Sequence, residues 1–166
     1  MLSTIRKRKQ QEGFTIIEVL IVLAIAGLIL VIVFLAVPAL QRNARNQQRK
    51  TDVSNLLAGV NEFVNDNQGT LPDTVAIAAD GTTTFSLAAG GASSVQGAKV
   101  GFYKTTANVT ITSTVSNTAP ASSPTDKVVI ITGATCSSNT AVAGSARSFV
   151  ATYWIEPGTI EQCQGS

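Results

Sequence analysis

The chain has 166 residues with a formal charge of +2, no histidine and two cysteines. That length supports one modest domain. The missing histidines remove the usual zinc, haem and iron–sulfur ligand sets and every imidazole-base mechanism, so neither a metal nor a cofactor is expected. The charge is also local: Arg6, Lys7, Arg8 and Lys9 lie in the first thirteen residues with Glu12 as the only acid there. Losing that segment would turn +2 into −1, so the pI near 8.7 does not argue for a nucleic-acid partner.

Residues 1–13 are polar and basic. A secretory signal places its apolar stretch before a small-residue cleavage site. Here Glu12-Gly13 comes first and the apolar stretch follows, so that stretch would survive a cut at Gly13.

From Val19 to Leu40 no residue is charged. As helix this run spans about 33 Å, enough for a bilayer core of ~30 Å. The alternative, a core helix of a soluble protein, is disfavoured because so small a domain could not cover it on all sides. Charge does not orient the span, since Arg42, Arg45, Arg49 and Lys50 follow it as closely as the basic leader precedes it.

The helical period continues through Val53, Leu56, Leu57, Val60, Phe63 and Val64, one apolar stripe at three- and four-residue spacing. Asn65-Asp66-Asn67-Gln68-Gly69 reads as a stop, reinforced by Pro72. One helix over 14–67 is therefore predicted, apolar all round in its first half and amphipathic in its second.

Beyond Gly69, residues 109–115, 127–132 and 148–156 read as strands, and 88–98 and 116–126 as loops. The expected fold class is α+β: a long N-terminal helix, apolar in its first half, packed on a small C-terminal antiparallel sheet. The expected division is leader 1–13, membrane and assembly helix 14–40, amphipathic half-helix 41–68 and β-rich head 69–166.

The chemistry concentrates at Gly13-Phe14-Thr15-Ile16-Ile17-Glu18. A carboxylate at the centre of a membrane helix costs on the order of 2.5–3.5 kcal/mol on insertion scales, which makes Glu18 a functional candidate. A cut after Gly13 would place Glu18 one turn inside the new helix start, beside the positive end of the dipole. It would also create an α-amine on Phe14 that could neutralise Glu18 of a neighbouring copy in a staggered helix bundle. The plain alternative is a carboxylate snorkelling to the headgroups.

The basic leader, Gly13, Phe14, Glu18 and the continuation Val19-Leu20-Ile21-Val22-Leu23-Ala24-Ile25 resemble the class III signal of type IV pilins and pseudopilins. The resemblance covers about residues 6–40 and extends weakly to the Gly69-Thr70-Leu71-Pro72 turn. It implies cleavage between Gly13 and Phe14 by a prepilin peptidase, N-methylation of Phe14, and a role for Glu18 in subunit alignment. It also implies an inner-membrane assembly platform with its ATPases, and a cytoplasmic-membrane precursor that becomes an extracellular homopolymer. Adhesion, twitching motility or DNA uptake would follow from the resemblance only.

Family members commonly carry a helix-breaking proline about eight residues after the glycine equivalent to Gly27; here Pro38 lies three residues later. It removes a backbone donor and clashes with the Phe34 carbonyl, so a locally melted stretch, the helix break, is expected between Gly27 and Pro38 in the filament, the alternative being a simple kink near the membrane exit.

Cys136 and Cys163 fall in the part exported under this topology, where a disulfide is expected. It would close a loop of about 28 residues and contribute roughly 3 kcal/mol. Two reduced buried thiols are the alternative. Arg42, Arg45 and Arg49 share a helix face and could meet acids such as Asp52, Glu62 or Asp66 of adjacent subunits, lipid headgroups, DNA or only solvent. Tyr153 and Trp154 should lie on opposite faces of a strand, one of them in the core. Asn108-Val109-Thr110 is a weak glycosylation sequon. No P-loop, dinucleotide fingerprint or nucleophile elbow occurs, so no enzyme is expected. The nearest rival is a pseudopilin or competence pilin. The rival from another class is a signal-anchored binding module.

Overall fold

The structure, a computed structural model, describes residues 13–87, 95–97, 99–115, 124–157 and 160–165. The leader up to Glu12 and most of the two expected loops lie outside these. The chain divides into two compact units, Met1–Leu40 and Gln41–Ser166. The helix α1, Ile16–Asp66, begins in the first and continues into the second.

In the first unit every described residue is exposed, including Phe14, Leu28 and Phe34. Among the described residues this is the one stretch of helix long and apolar enough to cross a membrane. Gly27 and Pro38 both lie within α1, which runs unbroken past them. The melting expected there concerns the assembled filament; in the single chain the segment is helix throughout. One missing amide and one ring clash cost about 3 kcal/mol, and the long helical segments on both sides hold the geometry against that loss.

In the second unit, Val53, Leu56, Leu57, Val60 and Phe63 are buried, with Val64 packed at the margin of the same core. The stripe read from the sequence is therefore the core face of α1. Fully burying such a side chain contributes about 1.5–3 kcal/mol. The helix ends where the stop was expected: Gly69 N–H donates to the Val64 carbonyl at 2.8 Å and Asn67 N–H to Phe63 at 3.0 Å. This i→i−5 closure places Gln68 in the left-handed region at φ 55°.

The strands are β1 Thr74–Ile77, β2 Thr83–Ser86, β3 Val95–Gly97, β4 Val109–Thr112, β5 Val128–Thr132, β6 Ala134–Ser137, β7 Thr140–Ala143, β8 Phe149–Ile155 and β9 Ile160–Gly165. They form three sheets, ordered β1-β2-β3, β4-β5-β8-β9 and β6-β7. The α+β class holds and the three expected strands are β4, β5 and β8, each slightly shorter than read. The principal sheet is mixed, because β4 pairs parallel with β5 while β5-β8-β9 run antiparallel. Residues 88–98, read as loop, contain β3.

Strand β8 corrects a further expectation. Both Tyr153 and Trp154 are buried, at 3% and 2% exposure. Phe149, Ala151 and Tyr153 face the core shared with α1. On the reverse face, Val150 joins Ile131, Ala134 and Ala141 in a second apolar cluster under the β6-β7 hairpin. A strand covered on both sides loses the polar–apolar alternation that would have identified its solvent face.

Candidate assembly site

Phe14 and Glu18 stand at the start of α1, and the local chain explains the geometry of the acid. Thr15 occupies the cap and Glu18 lies three residues on, the spacing of a capping box. The Glu18 carboxylate accepts the Thr15 backbone N–H at 2.8 Å and the Thr15 hydroxyl at 2.7 Å. Glu18 N–H donates back to Thr15 Oγ1 at 3.4 Å. Sequence resemblance gives Thr15 no role beyond the motif, and its S/T-x-x-E spacing to Glu18 is the signal of the cap.

The cap matters energetically. The isolated helix start satisfies Glu18 within its own chain, so the acid is not bare before any partner arrives. Phe14, Glu18, Val19, Val22 and Leu23 together line an exposed, almost wholly apolar surface around that carboxylate. Glu18 is the only acid of α1 before Asp52, which gives a neighbouring cation a single address along the apolar stretch.

The basic cluster beyond the span is organised differently from the expectation. Arg49 is only 2% exposed, its guanidinium bonded to Asn46 Oδ1 and Glu156 Oε1, each at 2.8 Å, and lying 4.4 Å above the Phe102 ring centroid. Arg45 donates to the other Glu156 oxygen at 2.7 Å. Asn46 completes the clamp by donating to the Glu156 carbonyl at 2.6 Å and accepting its N–H at 3.0 Å. Hydrogen bonds from Arg45 and then Arg49 hold the Glu156 carboxyl well below its ordinary range, at about 2.

Asp52 is likewise spent inside the chain: its Oδ2 accepts the backbone N–H groups of Gly101, Phe102 and Tyr103 at 2.9, 2.5 and 3.3 Å. Arg45, Arg49 and Asp52 therefore fasten the head to its own helix. Arg42 is exposed, as are Glu62 and Asp66. Glu156 sits 107 residues from Arg49, and no local pattern announces a partner at that separation.

Cys136 on β6 and Cys163 on β9 form a disulfide with Cα atoms 5.7 Å apart. It ties the hairpin to the edge of the principal sheet. Asn108 is half-buried in the short 3-10 turn Thr106–Asn108. Among the described residues no cluster of three or more His, Cys, Asp or Glu could hold a metal.

A helix apolar around its whole circumference, begun by a glycine–phenylalanine junction and carrying one capped acid, defines the class of membrane-anchored, class III signal precursors. Residues 8–34 match the family model of the prokaryotic N-terminal methylation motif. That match marks a prepilin signal, consistent with the type IV pilin family, and implies processing by a prepilin peptidase. No curated protein and no solved structure matches the chain. The motif points to a structural protein rather than an enzyme.

Proposed function

We propose that the mature chain is the structural subunit of a type IV pilus, polymerised through residues 14–40 with the 41–166 unit as its outer surface. Cleavage falls between Gly13 and Phe14, Phe14 is N-methylated, and the precursor waits in the cytoplasmic membrane with its N-terminus in the cytoplasm. An assembly platform and its ATPases then draw it into an extracellular homopolymer. Adhesion, twitching motility or DNA uptake would be functions of that fibre; DNA contact has no specific support.

The single observation that carries this reading is Glu18, an acid at the fifth residue after the processing junction in a helix otherwise apolar to Leu40. In a helix bundle, the Phe14 amine of one copy replaces the Thr15 hydrogen bonds of the next copy's Glu18, and each charge neutralises the other. A misaligned copy would leave a charge unpaired in an apolar core, at a cost of several kcal/mol. Gly27 and Pro38 mark where α1 is weakest, and the proposed filament melts there if packing demands it.

The test is a pair of variants. Glu18→Ala should be cleaved and inserted normally yet give no filaments in sheared surface material; normal filaments would refute the pairing. Gly13→Val should retain the leader and migrate about 1.5 kDa heavier, thirteen residues at ~0.11 kDa each. An unchanged mass would end the processing claim. Short periplasmic fibres in place of long surface ones would favour the pseudopilin reading.

A further inference from the structure

Toward the N-terminus the buried face of α1 continues through Asp52 and Arg49, and beside it Lys50, Gln47, Asn46 and Asn43 form a polar row at three- and four-residue spacing. These face the outer corner of the principal sheet, where Tyr153, Ile155 and the Gln162 side of β9 complete a cleft of about 340 Å³. Tyr153 and Gln162 are register partners across β8 and β9. The cleft lies wholly within the 41–166 unit and owes nothing to the assembly helix.

Its chemistry is specific. Along the apolar stripe the helix closes onto the sheet; beside the carboxamide row a gap remains. Three of the four hydrogen-bonding positions of the Asn46 amide are taken by Glu156 and Arg49, so one wall is fixed in place. The Asn43 and Gln47 side chains offer both donors and acceptors and stand exposed beside the cleft. Among the described residues no carboxylate lies within ion-pairing distance of the Lys50 ammonium. None of the described residues lining the cleft is a carboxylate.

A pocket near the lower end of the usual ligand range, with an aliphatic side chain and several convergent amides over a floor closed by the buried Tyr153, suits one small polar ring. Amides serve hydroxyl groups that both donate and accept, Ile155 serves a C–H face, and a lone cation serves one negative charge. We infer that this cleft binds a saccharide residue bearing a carboxylate, such as a uronic acid, with Lys50 taking the carboxylate and Asn43, Gln47 and Gln162 the hydroxyls.

The experiment uses the full mature chain in detergent micelles, labelled with nitrogen-15, and follows the side-chain amide resonances during titration with glucuronate, glucose and a glutamate-rich peptide. Glucuronate should shift the Asn43, Gln47 and Gln162 amides with a Kd at least about tenfold below that of glucose, a readily resolved difference. Lys50→Met, at an exposed position, should keep the fold and the glucose response while erasing the tenfold preference. Gln162→Leu should weaken both sugars.

Three outcomes would overturn the assignment: no shift of these amides at about 20 mM glucuronate, where even a Kd of ~1 mM saturates the site; a preference that survives Lys50→Met; or stronger shifts with the peptide, which would make the cleft a polypeptide contact. None of these depends on whether filaments form.

Discussion

At the residue scale, acids decide how this molecule is held. Asp52 receives three successive backbone N–H groups, and Glu156 receives two guanidiniums and an amide clamp. Arg49 is buried, so removing its acid leaves a charge without its partner in the interior, which costs more than the pair itself contributes. Glu156→Gln should therefore destabilise the 41–166 unit by about 1–2 kcal/mol at neutral pH in urea melts. A loss under about 0.5 kcal/mol would mean that the clamp is ornamental.

The same residue predicts the pH dependence. In the unfolded chain a glutamate titrates near 4.3, whereas the folded Glu156 titrates at about 2. The unfolded state thus takes up the proton first as pH falls. The stabilisation is complete above about 4.5 and is lost progressively down to about 2. Because Arg45 and Glu156 are partly in solvent, screening limits this contribution to about 1–2 kcal/mol. Wild type should lose that much more stability than Glu156→Gln across this window; parallel pH profiles would contradict it.

At the scale of elements, α1 is two helices in one. Its first half has no polar face, and its apolar residues are exposed along a helix long and apolar enough to cross a membrane. Its second half is a conventional amphipathic helix whose stripe was legible by period alone. The terminus shows where sequence reading stopped short: Gly69 suggested the left-handed residue, but Gln68 shares that conformation at φ 55°. A side chain there costs roughly 1 kcal/mol relative to glycine. Gln68→Gly should accordingly raise the stability of the 41–166 unit by about 0.5–1 kcal/mol in thermal melts, and a lower melting temperature would show that the glutamine contributes something the backbone does not reveal.

At the scale of the whole molecule, the disulfide joins two sheets that share no backbone ladder. It closes a loop of 27 residues in sequence separation, worth about 3 kcal/mol by the chain-entropy argument. Reduction, or Cys136→Ala with Cys163→Ala, should lower the unfolding free energy by about that amount and loosen the β6-β7 hairpin first. Equal urea midpoints in oxidised and reduced protein would refute this.

The sequence by itself determined the long helix, its apolar and amphipathic halves, the processing motif, and three of the principal strands. All of these are written in local periodicity or in adjacent residues, where 3.6- and 2-residue repeats and motif spacing are readable. Tertiary structure alone decided that Arg45 and Arg49 close on Glu156, that Tyr153 and Trp154 are both buried, that β4 runs parallel to β5, and that a carboxamide-lined cleft opens beside Lys50. Each of these joins groups distant in sequence across a packed interface, and no local periodicity encodes which distant strand, or which acid more than a hundred residues away, the chain will bring into contact.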